Sequence, residues 1–192
     1  PSDRPACKTL IKKRYSIGPS EKVLFFNGLL DYKLNADALK IILAEINPLL
    51  LNHHGFLYKI IICGKRLPAE FDSLKGYTDK NIIYAGFADN IDNYYKATDI
   101  FLNPVQSGGG IKTKMVEALA FGTTLIATET GAAGILKNVC GNKLIVVGDN
   151  DWAGFAKAIV ETDVVETPTP AAYFDFYFYG NIIKRLLNKS VI

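Results

Sequence analysis

"DIFLNPVQSGGGIKTKMVEALAFGTTLIAT", residues 99–128, decides how the chain is read. It opens on a short apolar run, "DIFLNP" (99–104), that finishes in Pro104. Three glycines follow, Gly108 to Gly110, and lead into a segment with helical spacing to about Phe121. Ile111, Met115, Val116 and Leu119 fall on one face of that helix, and Glu117 lies off it. Gly122 ends the segment, and "TTLIAT" (123–128) is a second apolar run. Two buried strands joined through a helix form a parallel crossover unit. Glycine costs a helix about 1 kcal/mol relative to alanine. Three in a row at a helix mouth therefore indicate that something approaches the backbone where a Cβ would obstruct it.

The same alternation extends in both directions. "KVLFFNG" (22–28), "FLYKIIICG" (56–64), "NIIYAG" (81–86) and "NKLIVVG" (142–148) are further short apolar runs, each closed by glycine. Between them the spacing predicts a helix from about Ala36 to Leu51, capped by Asn35, with Leu39, Ile42, Leu43 and Ile46 on one face. "PAEFDSLKGY" is expected as a short helix, and Asp89 or Asn90 opens another through "IDNYYKAT". Asp151 caps a helix through about Val160. A Pro-rich link, "ETPTPAAY", leads to a last helical segment ending "NIIKRLLNK". Continuous apolar strands alternating with helices predict an α/β, Rossmann-like fold, a parallel six-stranded sheet with helices on both faces. In such sheets ligands bind beyond the carboxyl ends of the strands, where the glycine loop falls.

Composition narrows the function. The 192 residues, 49% hydrophobic and 21% charged, suffice for one domain with a real core. A net charge of +3 points to no particular partner, and the one dense basic run, Lys8 to Arg14, reads as the solvated face of a short helix. Nucleic acid is not an expected partner. Cys7, Cys63 and Cys140 are few and scattered, which suits a reducing compartment and places the chain in the cytoplasm. His53 and His54 are the only histidines, too few for a His/Cys zinc site. No run approaches the ~18 apolar residues of a membrane span. The first residues lack an initiator Met and open like a linker, so the chain is expected to be part of a longer protein.

Backbone N–H groups beside a helix N-terminus form an anion-binding concavity, reinforced by the helix dipole. Lys112, expected in the first helical turn, and Lys114 add positive charge, and the set suits a diphosphate. Glu117 is a bidentate acceptor suited to a sugar diol such as ribose. Plainer readings exist: a flexible loop for Gly108 to Gly110, and a surface ion pair between Lys114 and Glu117, worth a few tenths of a kcal/mol. The P-loop pattern is excluded, because no Gly-Lys-Ser/Thr follows at the required distance. Asp149-Asn150-Asp151 has the form of a metal-binding Asp-x-Asp, but Asp151 precedes "WAGFAKAIV" as a helix cap, so no metal or other cofactor is expected.

"NPVQSGGGIKTKMVEALAFGTTLIATETGAAGI" resembles the donor-binding signature of the group 1 glycosyl transferases, a retaining family with the two-domain GT-B fold. The match is Glu117-Ala118, then Gly122 and "TLIAT". Many members carry an earlier glutamate where this chain has Gly109, and the chain is similar instead to the subgroup reading Gly-x-Gly-Ile-Lys-x-Lys. Upstream, "FFNGLLDYKLNADAL" resembles the family's first strand and glycine turn. Leu29 stands where many members have an arginine, and Lys33 falls near their phosphate-binding lysine. "IIYAGFADNIDNYYKATDIFLNP" resembles the segment whose loop touches the nucleotide base, here Phe87 and Ala88.

The resemblance implies the donor half of a retaining glycosyltransferase, resembling hexosyltransferases, that uses a UDP-, GDP- or similar nucleotide sugar. Lys112 and Lys114 would act on the departing diphosphate. Gly28, Lys33, Phe87, Ala88, Gly108, Gly109, Gly110, Ile111 and Glu117 would bind the donor. Residues 1–20 are expected as a linker and short helix, 21–165 as the nucleotide-sugar-binding domain, and 166–192 as a helical segment that packs on the N-terminal domain or on its own sheet. That N-terminal domain would hold the acceptor, so the fragment alone is expected to be inactive. The resemblance allows peripheral membrane association of the full-length enzyme. Two other classes compete. One is a nucleotide-binding regulatory module without transfer activity. The other is a nicotinamide-dependent oxidoreductase, which needs a glycine fingerprint after strand 22–28, where only Gly28 stands.

Overall fold

The structure is a computed structural model that describes residues 3–164, 167–177 and 181. Its sheet has six strands: β1 (Lys22–Asn27), β2 (Tyr58–Cys63), β3 (Ile82–Gly86), β4 (Ile100–Asn103), β5 (Thr124–Thr128) and β6 (Leu144–Val147). All pair in parallel, in the order β3-β2-β1-β4-β5-β6. The chain winds outward from β1 to β3, then returns to lay β4 beside β1, with Leu24 opposite Ile100. Winding direction reverses between β1 and β4, and the crevice above such a reversal is where this architecture binds ligands.

Strand alternation feeds two apolar layers. Leu24 and Phe26 point into one, under α2 (Lys33–Ile41), α3 (Asn47–Leu51) and, further along the chain, α7 (Trp152–Glu161). Val23 and Phe25 point into the other, under α1 (Arg4–Arg14), α4 (Ile91–Ala97), α5 (Thr113–Ala120) and α8 (Ala171–Tyr177). A short α6 (Glu129–Ala132) follows β5, capped by the Thr128 hydroxyl, which accepts the Gly131 N–H. Burial on both faces explains why the strands read as unbroken apolar runs.

Several local expectations change. The helix after β1 begins at Lys33, with extended Tyr32 at its cap, so Asn35 lies inside the first turn. A π-helical turn, Ile42–Ile46, joins α2 to α3, and buried Asn47 then meets the Tyr58 hydroxyl at 2.8 Å. "PAEFDSLKGY" is a kinked 3-10 stretch, Ala69–Tyr77, with left-handed backbone at Asp72, Ser73 and Leu74. The basic run Lys8 to Arg14 is not simply solvated. Lys8 pairs with buried Asp99 at 2.5 Å, and Lys12 donates to the carbonyls of Gly18, Pro19 and Glu21. Asp99 also accepts the Val23 N–H at 2.8 Å, so one carboxylate ties α1 to the starts of β1 and β4. Asp151 does cap α7, accepting the Gly154 N–H, and Asp149 accepts the N–H and hydroxyl of Thr130.

The aromatic final segment is described as α8 and at Asn181, and its basic end lies outside the described residues. The Tyr173 hydroxyl donates to the Val116 carbonyl at 2.6 Å, and Thr169 donates to that of Leu119. The described part therefore packs on its own domain, against α5.

Candidate donor site

Two clefts open above the carboxyl ends of the strands. The proximal one, about 400 Å³, lies over β1 and β4 and includes Asn27, Gly28, Asn35, Ile111, Lys112, Lys114 and Glu117 in its walls. The distal one, about 450 Å³, lies over β2 and β3 and includes Cys63, Gly64, Lys65, Phe87, Ala88 and Asp89. Asn27, Gly28 and Leu29 belong to both, so the turn after β1 is a shared wall. Gly28 and Gly64 keep that wall thin. A Cβ on Gly64 would run into the Gly28 carbonyl, and one on Gly28 would lie 2.6 Å from the Asn35 amide.

The glycine loop is built differently from the expectation. Gly108 (φ +88°) and Gly110 (φ +76°) have left-handed backbone, and a Cβ on Gly108 would meet Leu34 at 2.5 Å. Gly109 faces open space. Ile111 is about half exposed and lies against Gly134, so it leaves the buried face of α5 to Met115, Ala118 and Leu119. Lys112 is the cap residue rather than part of the first turn. Its ammonium folds back on the carbonyls of Gly108 (2.8 Å) and Gly110 (3.0 Å).

Lys114 turns inward. Its ammonium lies 4.7 Å from the centre of the Phe26 ring and donates to Asn35 Oδ1 at 2.8 Å and to the Asn27 carbonyl at 3.4 Å. Burial, and secondarily the positive charge of Lys112, lower its pKa to about 8. Lys114 and Glu117 share no ion pair, which removes the surface-pair reading of these residues. Glu117 is exposed to the cleft and accepts a hydrogen bond from the Tyr95 hydroxyl at 3.1 Å. Tyr95 is itself buried and also meets the Asn27 side chain at 3.1 Å, so a relay runs from β1 through α4 to α5. Burial, with the carboxylate of Glu117 second, pushes the Tyr95 phenol far above its ordinary value and keeps it a donor.

Of the residues singled out in the sequence, Gly28, Ile111, Lys112, Lys114 and Glu117 meet in the proximal cleft, and Phe87 and Ala88 line the distal one. Phe87 is 58% exposed, and the Lys65 ammonium sits 3.8 Å from its ring centre. Gly108, Gly109 and Gly110 line neither cleft, and Lys33 does not join them either. Its side chain is solvated and pairs with Asp37 at 2.6 Å on the same helix. Asn35 occupies the cleft wall instead. Sequence reading missed Asn35 because it was assigned as a cap, although a poor helix former two residues into a helix is itself a signal. Tyr95 carried no local signal, since its partner stands 22 residues away.

The family model for glycosyl transferases group 1 matches residues 21–162. No curated protein matches the chain. Among solved structures, a glycosyltransferase from Rickettsia africae superposes with a TM-score of 0.67 at 17% identity, over 96% of this chain and 51% of its own. HepE from Anabaena, solved with UDP and glucose, gives 0.62 at 14% identity, over 98% of this chain and 53% of its own. The C-terminal domain of LpcC, a group 1 family protein from Francisella tularensis, gives 0.62 at 18%, over 91% and 93%. The chain thus spans about half the length of the first two and nearly all of the third. At these identities the likeness shows the fold.

Proposed function

The chain belongs to the group 1 glycosyl transferases, and from that premise we propose that it binds the nucleoside-diphosphate-sugar donor in a retaining sugar transfer. The observation that carries this reading is the convergence of Gly28, Lys112, Lys114 and Glu117 in one cleft above the reversal of the sheet. The diphosphate lies between the glycine loop and Lys114. Glu117 takes the ribose hydroxyls, and the base extends over the shared wall toward Phe87 and Ala88. HepE is a relative in fold solved with UDP and glucose, which supports a ligand of this kind.

In the transfer, the bond from the sugar's anomeric carbon to the diphosphate oxygen breaks, a bond to an acceptor hydroxyl oxygen forms on the same face, and the hydroxyl proton passes to the departing diphosphate. Negative charge collects on the departing diphosphate. Lys114 meets it with a charge held in a partly dry site, where such stabilisation counts most. Lys112 leaves the Gly108 and Gly110 carbonyls to join it. The acceptor and its positioning groups belong to a second domain of the full-length protein, so the 192-residue chain binds donor without turning it over.

Calorimetric titration with UDP, GDP and the corresponding nucleosides tests this. One of the two diphosphates is expected to bind more tightly than its nucleoside, and Lys114→Ala to remove most of that difference. Binding of neither diphosphate, or identical affinities for diphosphate and nucleoside, would sink the reading. A regulatory module would bind as well, but the full-length protein would then transfer no sugar.

A further inference from the structure

Asn35 has no role in the donor reading, yet it holds the proximal cleft together. Its Nδ2 donates to the Leu29 carbonyl at 2.9 Å, and its Oδ1 accepts from the Lys114 ammonium at 2.8 Å. One amide thus bridges the turn after β1 and the helix after β4, the segments on either side of the sheet's reversal. Its orientation is fixed by its partners. Rotated by 180°, the amide would set its N–H groups against the ammonium and its oxygen against a carbonyl. Gly28 is the space that lets the amide in, since a Cβ there would lie 2.6 Å from Nδ2.

An ammonium carries three N–H donors. Two point at Asn35 Oδ1 and the Asn27 carbonyl, and the Phe26 ring lies close beside the charge. We propose that Asn35 is a positioning residue that aims the remaining N–H of Lys114 into the cleft, at an oxygen of the bound diphosphate. This rests on the donor reading above. A neutral acceptor suits the task, because it orients the lysine without cancelling its charge. A carboxylate at the same place would hold the ammonium as firmly and neutralise it. The other ionisable side chains lining the cleft are Lys112, Glu117 and Tyr32. Among the described residues none of them makes an ion pair with Lys114: burial and then the charge of Lys112 lower its pKa, and Asn35 supplies the side-chain acceptor that orients its ammonium.

The test uses the 192-residue chain as wild type, Asn35→Ala and Asn35→Asp. Nuclear magnetic resonance of the Lys114 side chain gives its pKa in each, and calorimetry gives affinities for UDP, GDP, uridine and guanosine. Asn35→Asp should raise the Lys114 pKa above the wild-type value and Asn35→Ala should lower it. Both should weaken the diphosphate about tenfold, the loss of one charge-assisted bond, and leave the nucleoside unchanged. Opposite pKa shifts with the same loss of binding cannot come from general damage to the fold. Asn35→Asp is nearly isosteric, so it keeps the test open if Asn35→Ala folds poorly. A Lys114 pKa that moves in neither variant would overturn the assignment, as would equal losses for nucleoside and diphosphate. Should the wild type bind no nucleoside diphosphate, the donor reading fails, and the resonance measurement still decides whether Asn35 controls Lys114.

Discussion

Lys112 caps α5 and Glu117 lies more than a turn further along it, and their surroundings separate their effects. Lys112→Ala removes a charge near the glycine loop and should weaken a nucleoside diphosphate roughly 10- to 150-fold, the worth of a bond to a charged group, with the nucleoside little changed. Glu117→Gln should weaken nucleoside and diphosphate by similar factors, with the deoxyribose analogue less sensitive. Titration of both variants with both ligands reads the difference, and a Glu117→Gln variant with unchanged affinities would remove the ribose assignment. Lys114 adds a dependence on pH. Its folded pKa is lowered to about 8, so it is charged at pH 6 and half neutral near pH 8. An incoming diphosphate favours the charged form, so Lys114 should take up about half a proton on binding at pH 8 and almost none at pH 6, where the terminal phosphate titrates instead. Affinity should fall as pH rises through 8. Calorimetry in buffers of different ionisation enthalpy measures the uptake. Much of this site was legible in the sequence, because glycines, lysines and a glutamate at a strand-to-helix junction are local signals. The inward turn of Lys114 onto Asn35 was not, since it depends on two helix starts 79 residues apart.

At the scale of elements, the six strands follow from apolar runs long enough to be buried on both faces, and each appears within two residues of its expected limits. The element beginnings were harder to place. Tyr32 takes the extended cap conformation, which starts α2 at Lys33, three residues before the Ala36 start that an Asn35 cap would give. Thr113 rather than Ile111 starts α5, because Gly108 and Gly110 in left-handed backbone hold the loop away from helical geometry. The glycines are therefore unequal. Gly108→Ala adds a Cβ both to a left-handed backbone and against Leu34, and should cost about 1–2 kcal/mol from the backbone alone. Gly109→Ala projects into open space and should stay within about 0.5 kcal/mol of wild type. Urea denaturation of the two variants gives the comparison. Equal costs would mean that the loop is as loose as its composition suggests.

Across the whole molecule, α1 is tied to the sheet by one buried carboxylate. Asp99 holds Lys8 and the Val23 N–H, and Asp99→Ala would leave both without that partner in a largely dry place. A loss of about 3 kcal/mol is expected, the scale for breaking a buried pair, and Lys8→Ala should cost less, because Asp99 keeps the Val23 N–H. Thermal unfolding measures both. The thin wall of Asn27, Gly28 and Leu29 has its own consequence. On the proposed donor reading, two adjoining clefts with a common partition would make the domain bivalent toward a ligand with two ends. Inorganic pyrophosphate and a free nucleoside should occupy it together, without competing. Their covalent union should bind more tightly than either by the effective concentration that a short tether confers, of the order of millimolar or above. Thickening the partition, as Gly28→Ala would by displacing Asn35, should erode that gain.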